Sequence, residues 1–83
     1  MDVFEEFGRI LSVALEGASC ARIIALHQHL RQDEIWWLLL MLVYRNLLEI
    51  DSSSVYWTTI NGVKFLKIKF NMEQVPQPQK SLV

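Results

Sequence analysis

The sequence predicts one α+β domain: three helices, a two-stranded hairpin and a carboxy-terminal helix. Three observations carry that reading. Apolar residues recur at helical spacing near the amino terminus, a long apolar run fills the middle of the chain, and three consecutive serines separate two β-favouring runs. With 83 residues the chain has room for one domain. We expect it to span residues 1–74. The remainder, 75–83, carries two prolines, two glutamines and no periodicity, and is expected to be a disordered tail.

The first helix is expected over Asp2 to Leu15, where Val3, Phe4, Phe7, Ile10, Leu11, Ala14 and Leu15 follow the i, i+3, i+4, i+7 pattern. Gly17 should end it, because glycine tolerates left-handed geometry. Ser19 is a good N-cap for a second helix running to about Gln28 or Leu30, with Ile23, Leu26 and Leu30 on its inner face. Asp33 can cap the third helix, which continues to about Asn46. Its core face, by helical spacing, is Ile35, Leu38, Leu39 and Leu42. The hairpin pairs Leu47 to Asp51 with Val55 to Thr59 across the turn Ser52, Ser53 and Ser54. Thr59 then caps a final helix containing Phe65, Leu66 and Phe70, although Leu66 to Phe70 (LKIKF) also alternates like a strand.

Composition narrows the function classes. A domain this small buries only about 60% of the surface its unfolded chain exposes, and Cys20 is the only cysteine, so no internal disulfide can help. A lone cysteine suits a reducing, cytoplasmic setting and cannot build a zinc site by itself. The hydrophobic share is 52%, high enough to suggest that some surface meets a partner. Net charge is -1, against the basic balance of a dedicated nucleic-acid binder. The charge is uneven: Asp2, Glu5, Glu6 and Glu16 make the first segment acidic, while Lys64, Lys67, Lys69 and Lys80 make the last one basic. The apolar run Ile35 to Tyr44 (IWWLLLMLVY) is far short of the ~20 residues that span a bilayer. No membrane span or signal peptide is expected.

The order helix, helix, helix, hairpin, helix suggests a winged helix, and three blocks sharpen it. ILSVALEGASCARI (Ile10 to Ile23), the stretch Leu30 to Leu48, and YWTTINGVKFL (Tyr56 to Leu66) together resemble the archaeal winged helix-turn-helix family of small transcription regulators. Thr59, Gly62, Phe65 and Leu66 hold key places of the last block. The resemblance implies a dimeric regulator that sets its third helix in the major groove of double-stranded DNA and lays its wing on the backbone. Arg22, Arg31, Gln32, Arg45 and the wing serines Ser52, Ser53 and Ser54 would then touch DNA, with base reading limited to Arg31 and Gln32.

The departures point elsewhere. The family's Lys-Thr before Arg-Ile is Cys20-Ala21 here. The outer face of the third helix carries Asp33, Trp36, Trp37, Leu40 and Tyr44, where a DNA reader needs Arg, Lys, Asn, Gln, Ser or Thr. Tyr56 and Thr58 take the inward places of the second strand, so Trp57 should point outward as well. This leaves a second expectation: a winged helix turned into a protein-interaction module, with Trp36, Trp37, Leu40, Tyr44 and Trp57 as the contact and self-association the simplest case. The alternative is that the face is misassigned and the tryptophans are core.

Other constellations are weaker. His27 and His29 lie two apart, which on a helix points them to different sides, so they read as ordinary surface or turn histidines and not as metal ligands. No carboxylate evidently orients either one, no nucleophile set forms, and Gly8, Gly17 and Gly62 are too scattered for a phosphate loop. Neither enzyme activity nor a cofactor is expected. Lys64, Lys67 and Lys69 read as a solvated face rather than a phosphate site.

Overall fold

The computed structural model describes residues 1–70. The expected tail, 75–83, lies outside them. The described chain is α+β, with four α-helices and a small antiparallel sheet of three strands in the order β1-β3-β2.

Helix α1 spans Val3–Val13 and is capped by Asp2, whose side chain accepts from the Glu5 amide at 3.2 Å. A 3-10 turn, Ala14–Glu16, finishes the segment, and Gly17 (φ +84) ends it as anticipated. A Cβ on Gly17 would also lie 2.8 Å from the Trp57 indole, so glycine is required there twice over. Next comes a strand that the sequence did not announce: β1, Ala18–Ser19, pairs with β3 through Ala18–Tyr56 and Ser19–Val55. Two residues are too few to reveal an alternating pattern.

Helix α2, Cys20–Leu26, is capped by Ser19 as expected, with the Arg22 amide donating to its hydroxyl. It stops short of Gln28, and the cause is His27. Ring nitrogen Nδ1 donates to the Ile23 carbonyl at 2.6 Å, occupying the acceptor that the His27 amide would use in a continuing helix; that amide turns to Ile24 instead. His27 is buried, not a surface histidine, while Leu26, expected on the inner face, is exposed.

Helix α3 spans Gln32–Tyr44. Its N-cap is Arg31 rather than Asp33; the Glu34 carboxylate accepts from the Arg31 amide at 2.9 Å, and Asp33 sits in the first turn. The helix closes on Asn46 (φ +61), with Asn46 N–H bonded to the Val43 carbonyl and Leu47 N–H reaching back to Leu42. That pair of bonds is the Schellman arrangement, and asparagine is the usual alternative to glycine in it. Strands β2 (Leu48–Ile50) and β3 (Val55–Thr58) form the hairpin, in the register Leu48–Thr58, Glu49–Trp57 and Ile50–Tyr56.

Helix α4 spans Ile60–Lys69, so Leu66 to Lys69 are helical despite the alternation of LKIKF, and Phe70, expected within the helix, is its C-cap. Thr59 caps it, accepting from the Gly62 amide at 3.1 Å and donating to the Asn46 carbonyl at 2.7 Å. One core lies between the helices and the inner face of the sheet, built from Phe7, Ile10 and Leu11 of α1, Ile35, Leu38 and Leu42 of α3, Leu48, Val63 and Leu66. Thr58 is fully buried within it and satisfies its hydroxyl by donating to the Leu11 carbonyl at 2.6 Å.

Candidate functional site

The four inward residues of α3, Ile35, Leu38, Leu39 and Leu42, are all buried, so the helix has one core face and the tryptophans are not on it. The remaining arc is exposed and apolar: Trp36 is 51% accessible, Trp37 45%, Leu40 66% and Tyr44 84%. At 3.6 residues per turn these positions, with exposed Val43, fall within about 120° of one another around the axis, and Leu40 lies near the middle. The surface continues off the helix. Trp36, Leu39, Leu40 and Val43 line a shallow groove of about 280 Å³ with Ile50 and Tyr56 of the hairpin. On the other flank Trp37 borders a second shallow depression with Met1, Val3, Arg31, Asp33 and Glu34. No charged residue interrupts the helix from Ile35 to Tyr44. Val43 and Ile50 were not singled out in the sequence. Val43 was recoverable from its i+3 spacing to Leu40, whereas Ile50 joins the surface only through its register with Tyr56.

Trp57 does not join this surface. It is on the outer side of the sheet, as expected, but is half-buried there, with its ring over Gly17 and its Nε1 donating to Asp51 Oδ2 at 2.8 Å. Its polar edge is satisfied locally, so its role is to brace the hairpin against the Gly17 turn. The same aspartate organises the turn. Asp51 Oδ1 accepts from the amides of Ser53 at 2.8 Å and Val55 at 3.0 Å. In the sequence Asp51 stands at the expected strand end, and an aspartate heading a serine turn is the signal for this role.

The residues named for DNA contact are all exposed, but they are spread out. Arg22 lies in the first turn of α2, Ser52 to Ser54 at the hairpin tip, and Arg31 and Arg45 at opposite ends of α3, about 20 Å apart by helix rise. Gln32 opens α3 beside Arg31. The Arg31 guanidinium is engaged by Asp33, Nε to Oδ1 at 3.2 Å, with Glu34 at 3.8 Å.

A carboxylate does orient one histidine, contrary to expectation. Glu6, buried on α1, receives His29 Nε2 at 3.0 Å on both oxygens, with Arg9 Nε 3.8 Å away. This contact ties the loop after α2 to α1. Among the described residues no group of three His, Cys, Asp or Glu side chains is placed to hold a metal ion. Burial pushes the Cys20 thiol above its ordinary range and also raises the Tyr56 phenol, to which Cys20 adds a smaller effect. A thiol held protonated is a poor nucleophile. Among the described residues no helix is long and apolar enough to cross a membrane.

Comparison with protein-family models, with curated proteins and with solved structures gave no match for this chain.

Proposed function

We propose that this chain is an intracellular winged-helix module that works by protein association, through the outer face of α3, and not by reading DNA with it. The observation that carries this is the composition of that face. A helix set into the major groove needs donors and acceptors for base edges and cations for phosphates. Here the corresponding arc is Trp36, Trp37, Leu40, Val43 and Tyr44; of the arginines at the two ends of the helix, Arg31 is engaged by Asp33 and Arg45 is the C-cap, outside the arc. Such a surface complements another apolar protein surface. The element order, with a short strand before α2 and a hairpin before α4, supports the winged-helix assignment. We assign the domain neither a catalytic role nor a cofactor.

Duplex DNA is the second reading. It is supported by the three blocks resembling archaeal regulators and by the exposure of Arg22, Arg45 and the wing serines. Titration of random duplex DNA over a range of salt separates the two. The association reading expects no shift at low salt from protein in which the Trp36 surface is intact. DNA binding with a steep salt slope, lost in Arg22→Ala or Arg45→Ala and kept in Trp36→Glu, would transfer the function to phosphate contact.

A further inference from the structure

We infer that the partner of the α3 face is a second copy of this chain, paired antiparallel across a two-fold axis at Leu40. The inference rests on reading this face as an association surface. It adds the identity and orientation of the occupant.

Area is the first argument. Trp36, Trp37, Leu40, Val43, Tyr44 and Ile50 all remain well exposed. Together they offer on the order of 700 Å², above the ~300–600 Å² of the largest patch on a typical monomer and near the ~800 Å² that one partner contributes to a standard interface. One short helix and the hairpin edge thus supply most of a self-complementary interface. A two-fold contact uses the same patch on both copies, so no second, unrelated surface has to be found.

The distribution of charge and shape sets the direction. The exposed positions are symmetric about Leu40: Trp36 and Tyr44 lie four residues to either side, Trp37 and Val43 three. With Leu40 on the axis, Trp36 meets Tyr44 of the second copy and Trp37 meets its Val43. Each large aromatic is then offset against the other helix, and two Leu40 side chains fill the centre. The ends of α3 differ in sign: at the start Asp33 and Glu34 outnumber the Arg31 they engage, leaving a net negative charge, while Arg45 stands at the C-cap. Antiparallel pairing brings each acidic start towards the basic end of the other copy and opposes the two helix dipoles. Parallel pairing would set the two net-negative helix starts side by side and align the two dipoles, at a like-charge cost that Arg31 reduces. Because residues 35–44 carry no charge, the centre can close without stranding an ion.

Cysteine cross-linking tests partner and direction together. In a Cys20→Ala background, Trp36→Cys and Tyr44→Cys proteins are prepared separately, checked for helicity by circular dichroism, mixed and oxidised. Antiparallel pairing brings position 36 of one copy against position 44 of the other, while two copies of position 36 stay about 12 Å apart, beyond the ~7 Å limit of a disulfide. The expected result is a mixed disulfide that neither protein forms alone. Efficient cross-linking of Trp36→Cys with itself would overturn the antiparallel arrangement. In parallel, Leu40→Glu is expected to weaken self-association by on the order of a hundredfold or more with the fold intact, since it places two like charges on the axis. A folded wild-type monomer at millimolar concentration overturns the second-copy inference by itself. Failure of the association reading is distinguished by the DNA titration, where binding would persist when Trp36 is changed.

Discussion

Gly62→Ala sets a favourable local effect against an unfavourable packing one. Gly62 lies inside α4, where alanine is the better helix former by about 0.8–1.0 kcal/mol. The substitution would therefore stabilise a solvent-facing helix position. At Gly62, however, a Cβ would press on the Leu47 carbonyl oxygen and lie 2.5 Å from Thr58 Cγ2. The first is backbone and already accepts the Thr59 amide at 3.1 Å; the second belongs to the buried threonine bonded to Leu11. Neither can swing aside as a flexible side-chain tip could. Overpacking of this kind costs roughly 1–3 kcal/mol, and loosening the two hydrogen bonds adds about 1 kcal/mol each. After the helix gain, the net loss is about 2–4 kcal/mol, which for a domain of this size lowers Tm by on the order of 10–30 °C. Thermal and urea unfolding of Gly62→Ala, with exposed Asn61→Ala as the propensity control, read this directly. A Gly62→Ala protein as stable as wild type, or more so, would show that α4 does not press on the Leu47–Thr58 junction and would refute the packing described.

Other sites give sharper contrasts. Thr59→Ala removes the acceptor for the Gly62 amide and the donor to Asn46, and is expected to cost about 1–2 kcal/mol in urea melts. At the hairpin tip, Ser53→Gly should change stability by less than about 0.5 kcal/mol, whereas Asp51→Ala, which frees two turn amides and the Trp57 indole, should cost about 2–3 kcal/mol. Equal effects at these two positions would show that the aspartate does not organise the turn. For Cys20 the sign follows from burial. A thiol raised in the folded state keeps its proton where the unfolded chain has already lost it, so stability should fall as pH rises through the ordinary thiol range. Cys20→Ala should flatten that part of a pH series of denaturation curves, leaving any later decline to Tyr56.

The helical stripes and their caps were legible because they depend on spacing and local hydrogen bonds. Ser19 and Thr59 cap where their chemistry suggested, and all four inward residues of α3 are buried. What could not be read was decided by contacts distant in sequence or by very short elements. Strand β1 has two residues and exists because Tyr56 and Val55 lie beside it. The LKIKF stretch alternates, yet the Thr59 cap and the burial of Val63 and Leu66 hold it in a helix. His27 ends α2 by bonding a carbonyl that helical periodicity assigns to the backbone. The same division runs through the candidate surface. Trp36, Trp37, Leu40 and Tyr44 emerged from helical geometry alone, whereas the covering of Trp57 depends on Gly17, forty residues earlier, and on the far side of the turn at Asp51.

Sedimentation equilibrium of the wild-type chain and of a Trp36→Glu, Trp37→Glu double variant, with circular dichroism on the same samples, tests the central claim most directly. If the α3 face is an association surface for a second copy, the wild type sediments as a dimer that persists at high salt. The variant should then sediment as a monomer with its helicity retained, because exposed positions tolerate charge in the isolated domain. A wild type that remains monomeric at millimolar concentration, or a double variant that dimerises as tightly as wild type, would contradict the account.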